Sequence, residues 1–236
     1  MKYIDRSKVE EPANLKGQAA PAENEEIKKS IYGHADVKTA LNKLQLGVCC
    51  FCESRYEVTG YGDVEHFRPK QGYQQDKTDK TLHKPGYYWL AYKWNNLLYA
   101  CNRCNRKYKQ NYFPLKDPSK RFKPDTLDIT QEVPLLINPY EEEHPENHLT
   151  FEGPEIKGKT EEGRTSIEYY GLDRKELYEE RLGICNMVNA LIKVEGFALN
   201  PEDKQETKGM IKSLLQDKMT TGQHTLMIKC NYGQYL

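Results

Sequence analysis

Glu65 and His66, adjacent in the stretch "DVEHFRPK", set a carboxylate beside a group that exchanges its proton near neutral pH. Such a pair alone is more often a surface hydrogen bond than a catalyst, so its meaning depends on what else the chain supplies. The pairs Cys49–Cys52 and Cys101–Cys104 have the C-x-x-C spacing with which a tight knuckle aims two sulfurs at one ion. Four sulfurs close a tetrahedral zinc site, which makes the zinc structural. Cys50 is an alternative to Cys49, although Cys50 and Cys52 lie close for the usual turn. The segment between the pairs, Glu53 to Ala100, exceeds the about 15–20 residues of common zinc ribbons. Two strands presenting Glu65–His66 and Asn96, then a helix starting near Asn105, would gather an acid, a base and an amide around one point, stapled by the zinc.

The elements that must hold these residues follow from periodicity. Ile27, Ile31, Val37, Leu41 and Leu44 recur at helical spacing, and Gly33 divides them into two short supporting helices. Tyr87, Tyr88, Trp89, Tyr92 and Trp94 suit buried strands, which predicts core packing rather than a base-stacking platform. Pro114, Pro118, Pro124 and Pro134 punctuate a loop-rich connection, and the acidic run from Glu141 to Glu146 reads as a solvated loop. Asp173 can cap a helix with Leu177, Ile184, Val188 and Leu191 on one stripe, widened by Leu182, Cys185 and Ile192. Asn200–Pro201 opens another, with Met210, Ile211, Leu214 and Leu215 as its buried face. Cys185 and Cys230 read as core thiols. The chain thus divides into an extended arm over 1–23, suited to docking, a zinc-stapled domain over 24–116, and a loop-rich connection with a helical domain over 117–236. The fold class is α+β.

The order C-x-x-C, acid–His, Asn–Leu, C-x-x-C–Asn resembles the ββα-metal nucleases of the HNH family. Over roughly Gly47 to Leu177, "EHFRPK", "YYWLAYKWNNLLYACNRCNRKYKQNYFPL", "LINPYEEEHPENHLTF" and "IEYYGLDRKEL" are similar to the PtuB-type HNH proteins of Septu and retron anti-phage systems. The resemblance implies a zinc-stabilised ββα-metal nuclease core with N-terminal helices and a mainly helical C-terminal domain. It implies His66 as general base, Asn96 as the residue orienting its ring, and Glu65 and Asn105 as ligands of a catalytic metal. Many members have Asp or His at the ligand positions, and the insertion between His66 and Asn96 is longer than in the smallest members. The implied partners are a nucleic-acid substrate, DNA or RNA, a PtuA-like ATPase, and in some systems a retron RNA–DNA component.

The residue types suit that chemistry. Phosphodiester hydrolysis needs a nucleophile made from water, and a neutral imidazole can accept its proton. It also needs negative charge neutralised, and hard oxygen donors suit Mg²⁺ or Mn²⁺. Arg103, Arg106, Lys107 and Lys109 cluster without an intervening acid, and Arg68 and Lys70 follow His66, so these six are the expected phosphate contacts. Lysine plus arginine and aspartate plus glutamate balance at 35 each, so any polyanion site is a local patch. The chain shows neither a signal peptide nor an apolar membrane span, which with the cysteine usage predicts a cytoplasmic protein. A non-catalytic zinc module that binds nucleic acid or protein is the rival reading. It needs the cysteines but not Glu65, His66 and Asn105 together.

Overall fold

Strand β1, Gly62–His66, pairs antiparallel with β2, Leu97–Cys101, in a register running from Gly62↔Cys101 to His66↔Leu97. A computed structural model describes residues 1–56 and 62–236 of the chain. β2 is buried along its whole length, as its sequence LLYAC requires, so this hairpin is the spine of the core. It leads directly into α3, Arg103–Lys109, a helix wound with i→i+5 hydrogen bonds. The order strand, strand, helix is the one expected, with the helix beginning two residues before Asn105.

Gly33 does separate two helices, α1 (Lys29–Tyr32) and α2 (Ala35–Leu44), and Val37, Leu41 and Leu44 of α2 are buried. The aromatic run between the strands is core without being strand. Tyr87, Tyr92 and Trp94 are buried, but the chain turns through short 3-10 segments at Tyr88–Leu90 and Trp94–Asn96. Tyr87 packs against Trp89, Phe113 and Phe122 from these turns, so packing, not strand pairing, orders the aromatics.

The second half carries α4 (Glu161–Tyr170), α5 (Lys175–Phe197), α6 (Pro201–Thr220) and α7 (Thr225–Tyr232). It also carries an antiparallel hairpin, β3 (Leu149–Glu152) with β4 (Glu155–Gly158), turned through Gly153–Pro154 and absent from the sequence-based expectation. Asn200 caps α6 by accepting from the Asp203 amide, with Pro201 at the first position, as expected. Three expectations are corrected. α5 is preceded by Arg174 rather than capped by Asp173; Met210 is exposed, its place on the buried face taken by Thr207; and Cys230 is exposed.

The segment 1–23 is mostly irregular and is anchored to the core: Met1, Ile4 and Leu15 are buried, and the Arg6 guanidinium lies over the rings of Trp94 and Tyr140. The buried apolar residues form one cluster running through both halves, from Val37 and Leu98 to Tyr170 and Ile211. No helix among the described residues is long and apolar enough to cross a membrane.

Candidate metal centre and adjoining cleft

Cys49, Cys52, Cys101 and Cys104 are all buried, and their sulfurs lie within 4.8 Å of one another. Tetrahedral Zn–S bonds of about 2.3 Å require sulfurs about 3.8 Å apart, and Cys52 and Cys101 stand at 3.9 Å. The first pair is turned by the Glu53 amide donating to the Cys49 carbonyl; the second spans the end of β2 and the start of α3. The four therefore tie the hairpin to the helix. Cys50 is buried outside this group, which decides between it and Cys49. Burial pushes the Cys49 and Cys104 thiols well up, whereas hydrogen bonds from the neighbouring thiols pull Cys52 down. Four thiols this close cannot all ionise without a cation among them, and a soft divalent ion supplies one.

The Cys101 amide donates to Cys49 Sγ at 3.3 Å, and Arg174 Nη1 to Cys104 Sγ at 3.3 Å. Arg174, buried just ahead of α5, is thus a counter-charge for the thiolates that sequence reasoning missed. Its only signal was its place inside the quoted segment "IEYYGLDRKEL".

Beside this centre lies a cleft of about 540 Å³ whose lining includes Glu65, Lys70, Asn105 and Arg106, with Lys29, Tyr32 and Lys38 from α1 and α2. Glu65 and Asn105, expected as ligands of a second metal, therefore share one cleft. They offer it hard oxygen donors, the type that suits Mg²⁺ or Mn²⁺. Glu65 Oε1 is already 2.6 Å from the Lys109 ammonium. Lys29 and Lys38 were read only as part of a supporting helical segment; nothing in helical periodicity marks them.

His66, only 3% exposed, does not line the cleft itself but contacts two residues that do, Lys70 and Tyr32. Its Nε2 lies 2.9 Å from the Ala91 carbonyl, its Nδ1 3.4 Å from Lys70 Nζ, and Tyr32 packs edge-on to its ring. Burial and the Lys70 ammonium push the imidazole well below its ordinary value, against the raising effect of the Ala91 hydrogen bond. The ring is therefore neutral, and because a carbonyl can only accept, Nε2 carries the proton and Nδ1 the lone pair.

Three placements differ from expectation. Asn96 does not touch the His66 ring: its amide accepts from the Arg68 N–H and donates to the Arg68 and Leu90 carbonyls, fixing the backbone that follows His66. Arg68 is ion-paired with the buried Glu132, beside Tyr87 and Phe113, and is not displayed to a ligand. Lys109 is fully buried, bonded to Glu65 and to the His66 carbonyl at 3.0 Å, and cannot meet a phosphate. Of the other expected phosphate contacts, Lys107 is exposed, Arg103 pairs with Glu176, Arg106 pairs with Asp63 at 2.7 Å, and Lys70 is half-buried at the cleft.

An antiparallel hairpin and a helix bound by four cysteines, with a polar cleft alongside, define an α+β protein organised around a candidate metal knuckle. Among proteins of known name, the chain is similar to the Septu protein PtuB of Bacillus mycoides (strain KBAB4), at 45% identity over 157 residues, covering 65% of this chain and 52% of that one. It is also similar to the Septu protein PtuB of Bacillus thuringiensis, at 28% identity over 187 residues, covering 78% and 60%. The chain spans between half and two thirds of these relatives' length. No family model matches it, and no solved structure gives a significant match.

Proposed function

We propose that the chain is a Septu-type anti-phage defence component whose hairpin and α3 form an HNH nuclease core, hydrolysing nucleic-acid phosphodiester bonds. The observation that carries this reading is the convergence of Glu65, Asn105 and Lys70 on one cleft, with a neutral His66 buried against Lys70 behind its lining. In it the four cysteines hold Zn²⁺ as a staple, and Glu65 and Asn105 hold Mg²⁺ or Mn²⁺, which when bound neutralises charge on the phosphate and the leaving oxygen. His66 Nδ1 takes the proton of the attacking water once Lys70 turns from the ring to the phosphate. The Ala91 carbonyl fixes the tautomer and steadies the proton-bearing ring, and Asn96 holds the backbone beyond it.

The test is to give purified protein duplex DNA, single-stranded DNA and tRNA, with Mg²⁺ or Mn²⁺ and without. Metal-dependent cleavage of DNA is expected; cleavage of tRNA alone would reassign the substrate to RNA. His66→Ala is expected to lower the rate by about a hundred- to ten-thousand-fold while zinc content is kept. Near-wild-type turnover in that variant would remove His66 from the reaction. The second reading, a non-catalytic zinc module, is favoured by the neutralisation of Glu65 by Lys109 and by the burial of His66. Absence of cleavage in every arm at low salt, with zinc present and with a PtuA-like ATPase added, would establish it.

A further inference from the structure

The cleft contains more positive charge than the nuclease core itself contributes. Its four cations are Lys29, Lys38, Lys70 and Arg106, and its two carboxylates are both engaged, Asp63 with Arg106 and Glu65 with Lys109. Among the described residues neither Lys29 nor Lys38 makes an ion pair, and both are exposed. Burial chiefly pushes the Lys70 ammonium down, against the raising charge of Glu65, and Lys109 and, less, Lys29 add to the lowering. Two exposed ammonium groups without ion-pair partners, lining one cleft, are a standing attraction for an anion.

A neighbouring hollow of about 440 Å³ shares Lys70 with the cleft and has the opposite character. Glu23, Glu25 and Glu26 line it against Lys84. A polyanion that reaches Lys70 is repelled on that side and drawn along the side where α1 and α2 meet α3.

We propose that Lys29 and Lys38 are phosphate-binding residues, and that a nucleic-acid strand runs between the α1–α2 pair and α3, over Lys70. The assignment rests on the nucleic-acid reading of the cleft for the chemistry of its ligand, but not on cleavage. It makes the N-terminal helices part of the substrate channel.

The experiment is fluorescence anisotropy with labelled single-stranded and duplex oligonucleotides across a salt series, in buffer without added divalent ions. Each lost phosphate contact lowers the steepness of log K against log salt by about 0.7 to 0.9, so K29A/K38A should flatten the slope by roughly 1.4 to 1.8. The variant K193A/K212A removes two exposed lysines from α5 and α6, controls for net charge, and should leave the slope as it was. An unflattened slope for K29A/K38A, an equal flattening in the control, or no binding by the wild-type chain at low salt would each overturn the proposal. Cleavage is read separately. Binding that depends on Lys29 and Lys38, without turnover in Mg²⁺ even when a PtuA-like ATPase is added, would retire the nuclease reading and leave this channel standing; turnover with an unflattened slope would do the reverse.

Discussion

At Glu65 one carboxylate serves a buried lysine and also faces the cleft in which the proposed nuclease reading asks it to hold a metal. Lys109 follows Asn105 by four residues on α3, a spacing that nearly shares a helix face, so both serve the same neighbourhood. In sequence Lys109 is one of several lysines in a basic run, and no spacing rule distinguishes it from the solvated ones; its bonds to Glu65 and to the His66 carbonyl of β1 do. Truncating one member of a buried pair leaves the other charge uncompensated, at a cost of about 3–5 kcal/mol. Lys109→Met should therefore destabilise the fold by roughly that amount. Combining it with Glu65→Gln should cost clearly less than the two single changes summed. Chemical denaturation of the three variants checks this, and additive losses would show that the pair is not the stabilising unit.

Among the elements, the cysteine pairs, the two strands and the capped start of α6 were legible because each has a local signal: a spacing, an apolar run, an Asn–Pro. The aromatic run was misread because burial alone does not separate a strand from successive tight turns. The β3–β4 hairpin had a Gly–Pro turn that outweighs its weak strand pattern. The Arg174 contact with Cys104 joins elements distant in sequence, so its place in a quoted segment marked the residue but not the contact. Two predictions belong here. Cys50→Ser should retain zinc, whereas Cys101→Ser or Cys104→Ser should lose it and fail to fold, because binding energies of about 10 kcal/mol or more are folding energy in such sites. Elemental analysis of the soluble fractions distinguishes them. At the end of α4, Gly171 has φ +60°, and a Cβ there would lie 2.4 Å from the Tyr108 ring of α3. Gly171→Ala should cost about 2–4 kcal/mol, the sum of left-handed strain and overpacking, read as a lowered denaturation midpoint.

For the whole molecule, the balance of 35 basic against 35 acidic residues is the decisive quantity. Without a net field, association with a polyanion gains little long-range steering and depends on the few cations of the cleft, whose attraction falls steeply as salt rises. The acids around Glu23–Glu26 narrow the approach further. A chain of this kind, acting alone at physiological salt, should be a weak nuclease at most. On the proposed nuclease reading, efficient action would require a partner that supplies either the missing positive surface or a high local concentration of substrate. The proposed Septu role makes that partner a PtuA-like ATPase. Initial rates of cleavage should be low for the isolated chain at physiological salt, rise on dilution of the salt, and rise further when the ATPase is added. Fast cleavage by the chain alone at physiological salt, indifferent to the ATPase, would show that the local cleft suffices to recruit substrate and that the partner has another role.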